Sequence, residues 1–402
     1  MKKIRILFLG LFLLVLPPSA NAQFFKKLLK TVGEVISDDG SSSSSSNYYS
    51  PVNSKGEVKI PAIVLSNPST SSNYARSAGS IGTEWSDKIV GYMDSYERAF
   101  MKSYAGNDYL LVITNPTIMC VTIASVNGTK DDLELPHVVN HKGKNYLVTT
   151  IGAHALQSRK ILGLDVPTSI NRIGYEAFLD CKMKTFNVPS SIRKIDARAF
   201  AECQDLQTIY IPASVEEIGY GAFANCHELE RIVVDEDNPY YKSVNGVLYN
   251  KEMTEVIQYP AGKKDKVYVA PNTIVSINRQ AFERTWYLED VVLPDGLMYI
   301  SVEAFEHARL HNIYLPATLR EIGNAALAFD EWIDGSNNWH PTNLFVVSNG
   351  PLPSHKYAFN YYNSSFKSQP NIYVAKGTRK QYLSEDPWSG EENIIEVEFL
   401  KK

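Results

Sequence analysis

Cysteine is scarce and scattered: four occur in 402 residues, at 120, 181, 203 and 226, and no two are close enough to form the local pair a zinc site uses. A G-x-S-x-G elbow, a P-loop and an H-E-x-x-H pair are also missing, so no local motif marks acyl transfer, nucleotide hydrolysis or zinc proteolysis. His307 and His311 stand four apart, as helical metal ligands do, but the chain between them is not expected to be one continuous helix, and no metal or cofactor is expected. Basic residues interleaved with aromatics are lacking beyond Lys26, Lys27 and Lys30, which gives no reason to expect nucleic acid. Apolar runs long enough to span a bilayer are lacking as well.

The one strongly apolar run is at the start. Lys2, Lys3 and Arg5 precede "ILFLGLFLLVL", and Ala20-Asn21-Ala22 follows, which is the pattern of a secretory leader cleaved after Ala22. Its removal takes the net charge from −4 to about −7. An exported product at the cell surface or outside the cell is expected, with no integral membrane segment once the leader is gone. Residues 23–85 are rich in Ser, Asn, Pro and Gly and read as a flexible tether, since this composition buries too little apolar surface to offset ordering entropy. Within it, Phe25, Leu28, Leu29, Val32 and Ile36 share a helical face, either for a membrane surface or for docking on the protein itself. From Ser86 to Ala105 the residues Ile89, Met93, Tyr96, Phe100 and Tyr104 recur at helical spacing, and the strand-like runs "YLLVIT" and "MCVTIAS" follow; residues 86–132 are expected to cap what comes next.

What comes next is a repeat. Pro167, Pro189, Pro212, Pro271, Pro294 and Pro316 each close a strand-like triplet, and eleven residues after each stands Phe178, Phe200, Phe223, Phe282, Phe305 or Leu327. Before each of these lie Ile173, Ile195, Ile218, Ile277, Ile300 and Ile322 in the same register. A period of 22–23 implies a solenoid whose stacked coils place like positions above one another about 4.8 Å apart, so a position that is apolar once must be apolar in every coil. Gly152, Gly174, Gly219 and Gly323 follow the Ile, where a tight bend suits glycine. Cys181, Cys203 and Cys226 share a slot that later holds Thr285 and Ala308, so they read as a buried stack of small side chains rather than as a disulfide or metal set.

The register breaks once: Phe223 and Phe282 are 59 residues apart. The extra residues, about 233–265, carry Asn245-Gly246 between strand-like runs and predict a β-hairpin projecting from one face. "DEDN" at 235–238 lacks the Gly and terminal Glu of a calcium loop and reads as a solvated turn.

Units such as "LQTIYIPASVEEIGYGAFANC" and the insert "DNPYYKSVNGVLYNKEMTEVIQYPAG" resemble the bacterial BspA-like leucine-rich repeats over 133–327, with 328–402 similar to that family's closing segment. The resemblance implies a mainly β leucine-rich-repeat solenoid with short helical turns, and an exported, non-catalytic protein that binds protein or glycan ligands; a structural spacer without a ligand of its own is the alternative. Strand alternation turns the residue two before each repeat proline outward, making Asp165, Asn187, Tyr210, Val269, Val292 and Tyr314 the candidate ligand-binding row.

Overall fold

Each coil contributes two strands, and each strand lies parallel to its counterpart in the next coil. The computed structural model describes residues 57–59, 99–115, 118–334, 337–361, 368–391 and 393–400. The leader, the Phe25–Ile36 face and most of the tether lie outside these residues.

The shorter strands carry the repeat isoleucine. Ile151, Ile173, Ile195 and Ile218 pair in register, and from the end of the insert onward Val256, Ile277, Ile300 and Ile322 do the same. The longer strands are the proline-closed ones. Thr185–Asn187, Thr208–Ile211 and Arg231–Val234 form one parallel sheet. Val267–Val269, Asp290–Val292, Asn312–Pro316, Asn343–Val347, Asn371–Ala375 and Ile394–Leu400 form a second, and Glu57–Lys59 pairs with the end of its last strand. The parallel ladder thus continues well past Leu327, and Ala358-Phe359 fills the Ala-Phe slot of one further coil, buried and accepting the Leu327 amide at the Ala358 carbonyl at 2.8 Å. Among the described residues, helix is confined to short turns at Arg379–Tyr382 and Trp388–Gly390, where buried Tyr382 and Trp388 pack edge to face over the end of the core.

Between the two ladders run the apolar rungs. Phe178, Phe200 and Phe223 stack at 4.9 and 5.9 Å between ring centroids, and Tyr259, Phe282 and Phe305 at 5.2 and 4.8 Å. The thiols of Cys181, Cys203 and Cys226 are buried beside the first stack, each donating to a carbonyl of the preceding coil. Burial pushes the Cys181 thiol up to about 12, so it stays protonated and inert.

The glycines that follow the isoleucines are explained differently from the sequence expectation. None has a positive φ; each is needed because the coils touch there, and a Cβ on Gly219 would lie 2.2 Å from the Ala197 nitrogen. The left-handed bends fall at other positions, such as Glu176, Arg198, Gln280 and Glu303, and Asp180, Glu202, Asn225 and Arg284.

Two further expectations are corrected. Of the helix expected over 86–105, Ala99–Tyr104 is instead a strand, paired antiparallel with Asn107–Asn115 through a turn with φ of 49° at Ala105 and 81° at Gly106. Phe100 and Tyr104, four apart, share one face of a strand as readily as of a helix, and the Ala-Gly turn decides for the strand. The insert does contain the hairpin, Tyr241–Val244 against Val247–Asn250 across Asn245-Gly246, but it does not project. Val247, Leu248 and Tyr249 are buried, and the next strand, Glu255–Gln258, joins the short-strand ladder beside Ser276–Ile277. Tyr259 then fills a phenylalanine slot, so the insert is itself an irregular coil. Asn238 of "DEDN" is buried and donates to the Pro212 and Val215 carbonyls, tying the insert to the coil before it.

Candidate ligand-binding face

The outward row divides in two. In the N-terminal half, Asp165, Asn187 and Tyr210 are exposed, Tyr210 to 44%. Asn187 and Tyr210 sit in register on neighbouring strands, with half-buried Val233 next in line. In the C-terminal half, Val269 is half-buried, and Val292 and Tyr314 are only 3% and 2% exposed. The expected exposure fails for these two because the row goes on into larger side chains. Tyr314, Phe345 and Tyr373 stack face to face at 4.7 Å each, and with Val292 and Val397 they form an apolar cluster on the side of the sheet opposite the main core. Period-2 alternation assigns a residue to a side but does not tell whether that side is covered.

The exposed half adjoins a groove of about 820 Å³ lined in part by Asp131, Asp132, Glu134, Leu162, Leu164 and Asp165. Its wall is the pair of short parallel strands Asp132–Glu134 and Gly163–Asp165, which sets Glu134 directly beside Asp165. Like charges so placed repel. Tyr104 relieves this in part, donating to Glu134 Oε1 at 2.7 Å, and that bond raises the phenol's pKa. Lys160 pairs with Asp131 at 2.6 Å, while Leu162 is the most exposed large apolar side chain among the described residues, at 69%. Of these residues only Asp165 is a binding candidate from sequence. The signal for the rest was the acidic run "DDLE" in the lead-in coil, whose register against "GLD" appears only when the coils stack.

His307 and His311 do not converge. His307 Nδ1 lies 3.0 Å from Asp330 Oδ1 and its ring stacks on Tyr361, whereas His311 packs on Trp332 with 3.8 Å between ring centroids. Among the described residues no three His, Cys, Asp or Glu side chains gather as a metal site would require.

Residues 147–260 and 263–336 match the BspA type leucine rich repeat region, in six copies. The repeats belong to the BspA-type leucine-rich repeat family. No curated protein matches the chain. Among solved structures, a leucine-rich repeat protein from Eubacterium ventriosum is 18% identical, covering 69% of this chain and 79% of its own at a TM-score of 0.45. A leucine rich cell surface protein from Faecalibacterium prausnitzii is 18% identical, with 75% and 95% covered and a TM-score of 0.41. A leucine-rich repeat protein from Bacteroides ovatus is also 18% identical, with 69% of each chain covered and a TM-score of 0.40. In this BspA-type solenoid, the matched residues span the exposed half of the row and the insert, and they end before the strands that carry Phe345 and Tyr373.

Proposed function

We propose that this is an exported, non-catalytic binding protein that engages a protein or glycan ligand outside the cell through the N-terminal half of its outward strand face. The observation that carries the reading is the open row Asp165, Asn187 and Tyr210 adjoining a concave groove that shares Asp165. An exposed tyrosine brings large contact area at small entropic cost, and a concavity beside it gives a ligand more than one surface to meet. The leader-like start of the sequence supports export, and among the described residues no helix is long and apolar enough to cross a membrane.

The test is capture by the purified chain of extracellular-matrix proteins, mucin and glycans, beside a variant carrying Asn187→Ala and Tyr210→Ala. Capture that is lost in the variant, with its circular dichroism unchanged, supports the face as the site. Equal capture by both moves the site elsewhere. No capture by either favours a structural spacer, a role in keeping with the burial of Val292 and Tyr314 on the same face.

A further inference from the structure

The insert leaves a seam in the solenoid. In the regular coils each bend donates three backbone bonds to the next coil: Arg198, Phe200 and Glu202 to the carbonyls of Tyr220, Ala222 and Ala224, at 3.0, 2.8 and 2.9 Å. The insert coil goes from Val256 in the isoleucine slot to Tyr259 in the phenylalanine slot in three steps rather than five, so the left-handed bend between them is missing. The amides of Gly221, Phe223 and Asn225 consequently find no backbone acceptor among the described residues.

Side chains from beyond the short coil fill the space. Gln280 reaches back until its Oε1 lies 2.1 Å from where a Cβ on Gly221, at a φ of 57°, would be. Glu283, in a column that holds Ala201 and Ala224 in earlier coils, is 7% exposed, and its Oε2 lacks a hydrogen-bond partner, as do Gln280 Oε1 and Asn225 Oδ1. The charged groups facing Glu283 are Arg198 from the N-terminal half, and Arg284, Glu303 and Glu306 from its own half. On either side of the seam the apolar interior divides into two clusters, and both strand ladders are interrupted.

We propose that this seam is an acid-tightened joint: a protonated Glu283 carboxyl donates a hydrogen bond inside it and holds the two halves together, whereas the ionised carboxylate favours local opening. Burial sets the direction, pushing the Glu283 carboxyl up to about 7 despite the pull of Arg198 and Arg284, with Glu306 and Glu303 adding to the rise. Opening the seam to water returns the carboxyl to its ordinary value, so rising pH draws the seam open.

Hydrogen exchange of the purified chain, followed by mass spectrometry over Ala224 and Tyr259, whose amides donate to the Gly221 and Ala281 carbonyls at the seam, and corrected for intrinsic rates, tests this. Protection there is expected to fall roughly 10- to 30-fold between about pH 5.5 and 8, while the regular bend Arg198–Glu202 changes little. Glu283→Gln, of the same shape and always neutral, is expected to hold the low-pH protection throughout. A flat profile in the unmodified chain overturns the joint without any variant, and a pH slope that survives Glu283→Gln overturns the role of this carboxyl.

Discussion

Asn312 donates from Nδ2 to Asp290 Oδ1 at 2.7 Å, across two strands that hold the two residues in direct register. The bond begins a ladder: Asn343 donates to Asn312 Oδ1 and Asn371 to Asn343 Oδ1, each at 3.1 Å, so each amide gives to the coil before it. The ladder runs beside the stack of Tyr314, Phe345 and Tyr373 on a face that is buried in its middle. Replacing Asn343 with Leu leaves Asn312 Oδ1 without its donor and Asn371 Nδ2 without its acceptor. A loss of about 1–3 kcal/mol is expected in urea unfolding, at the range for an orphaned buried polar group.

Asp290 and Glu255 together predict a pH dependence of stability. Burial pushes both carboxyls up to about 7, the Asn312 bond only partly opposing this at Asp290. Because the folded values lie above the unfolded ones, their contribution is complete below the unfolded carboxylate range and is lost as pH rises toward 7, beyond which it is constant. The melting temperature should therefore fall from pH 5 to pH 8. Asp290→Asn and Glu255→Gln should each flatten that fall in thermal scans.

Gly219 and Gly143 separate two reasons for glycine. Gly219 has no positive φ, but an added Cβ would meet the Ala197 backbone at 2.2 Å; Gly143 has a φ of 75° and open space around it. Gly219→Ala must push coils apart and should destabilise by about 1–3 kcal/mol or more. Gly143→Ala strains only its turn and should cost about 1 kcal/mol. Parallel denaturant titrations of the two variants check the order.

The four thiols should react in two classes. Cys120 is half-buried, while Cys181, Cys203 and Cys226 are fully buried and their hydrogens are engaged with carbonyls. A thiol reagent should label Cys120 first and reach the other three only at the rate of unfolding. Rapid labelling of all four in the native chain would contradict a buried stack.

The rungs were legible in the sequence because a solenoid repeats its physics: a position buried in one coil is buried in the next, so Ile195, Phe200 and Cys203 announce themselves by recurrence. Where recurrence stops, legibility stops. The strands Asn343–Val347 and Asn371–Ala375 continue the ladder, but Ala358-Phe359 between them has no proline eleven residues before its Phe and so falls outside the repeat spacing, and the amide ladder is marked only by an Asp or Asn two places before each outward residue. Asp165, Asn187 and Tyr210 are exposed, as alternation along the strand expects. Val292 and Tyr314 are not, because their burial depends on Phe345 and Tyr373, far along the chain. The insert misled for a related reason: alternation identified its hairpin, but not that Tyr249 and Tyr259 would be buried in the core.

The most direct test of the binding face is covalent footprinting of tyrosines and carboxylates in the chain alone and with a captured ligand. Tyr210 and Asp165 should label readily in the free chain and be shielded in the complex, while Tyr314 stays unlabelled in both. A complex in which Tyr210 and Asp165 label as fast as in the free chain, with protection elsewhere, would contradict the account.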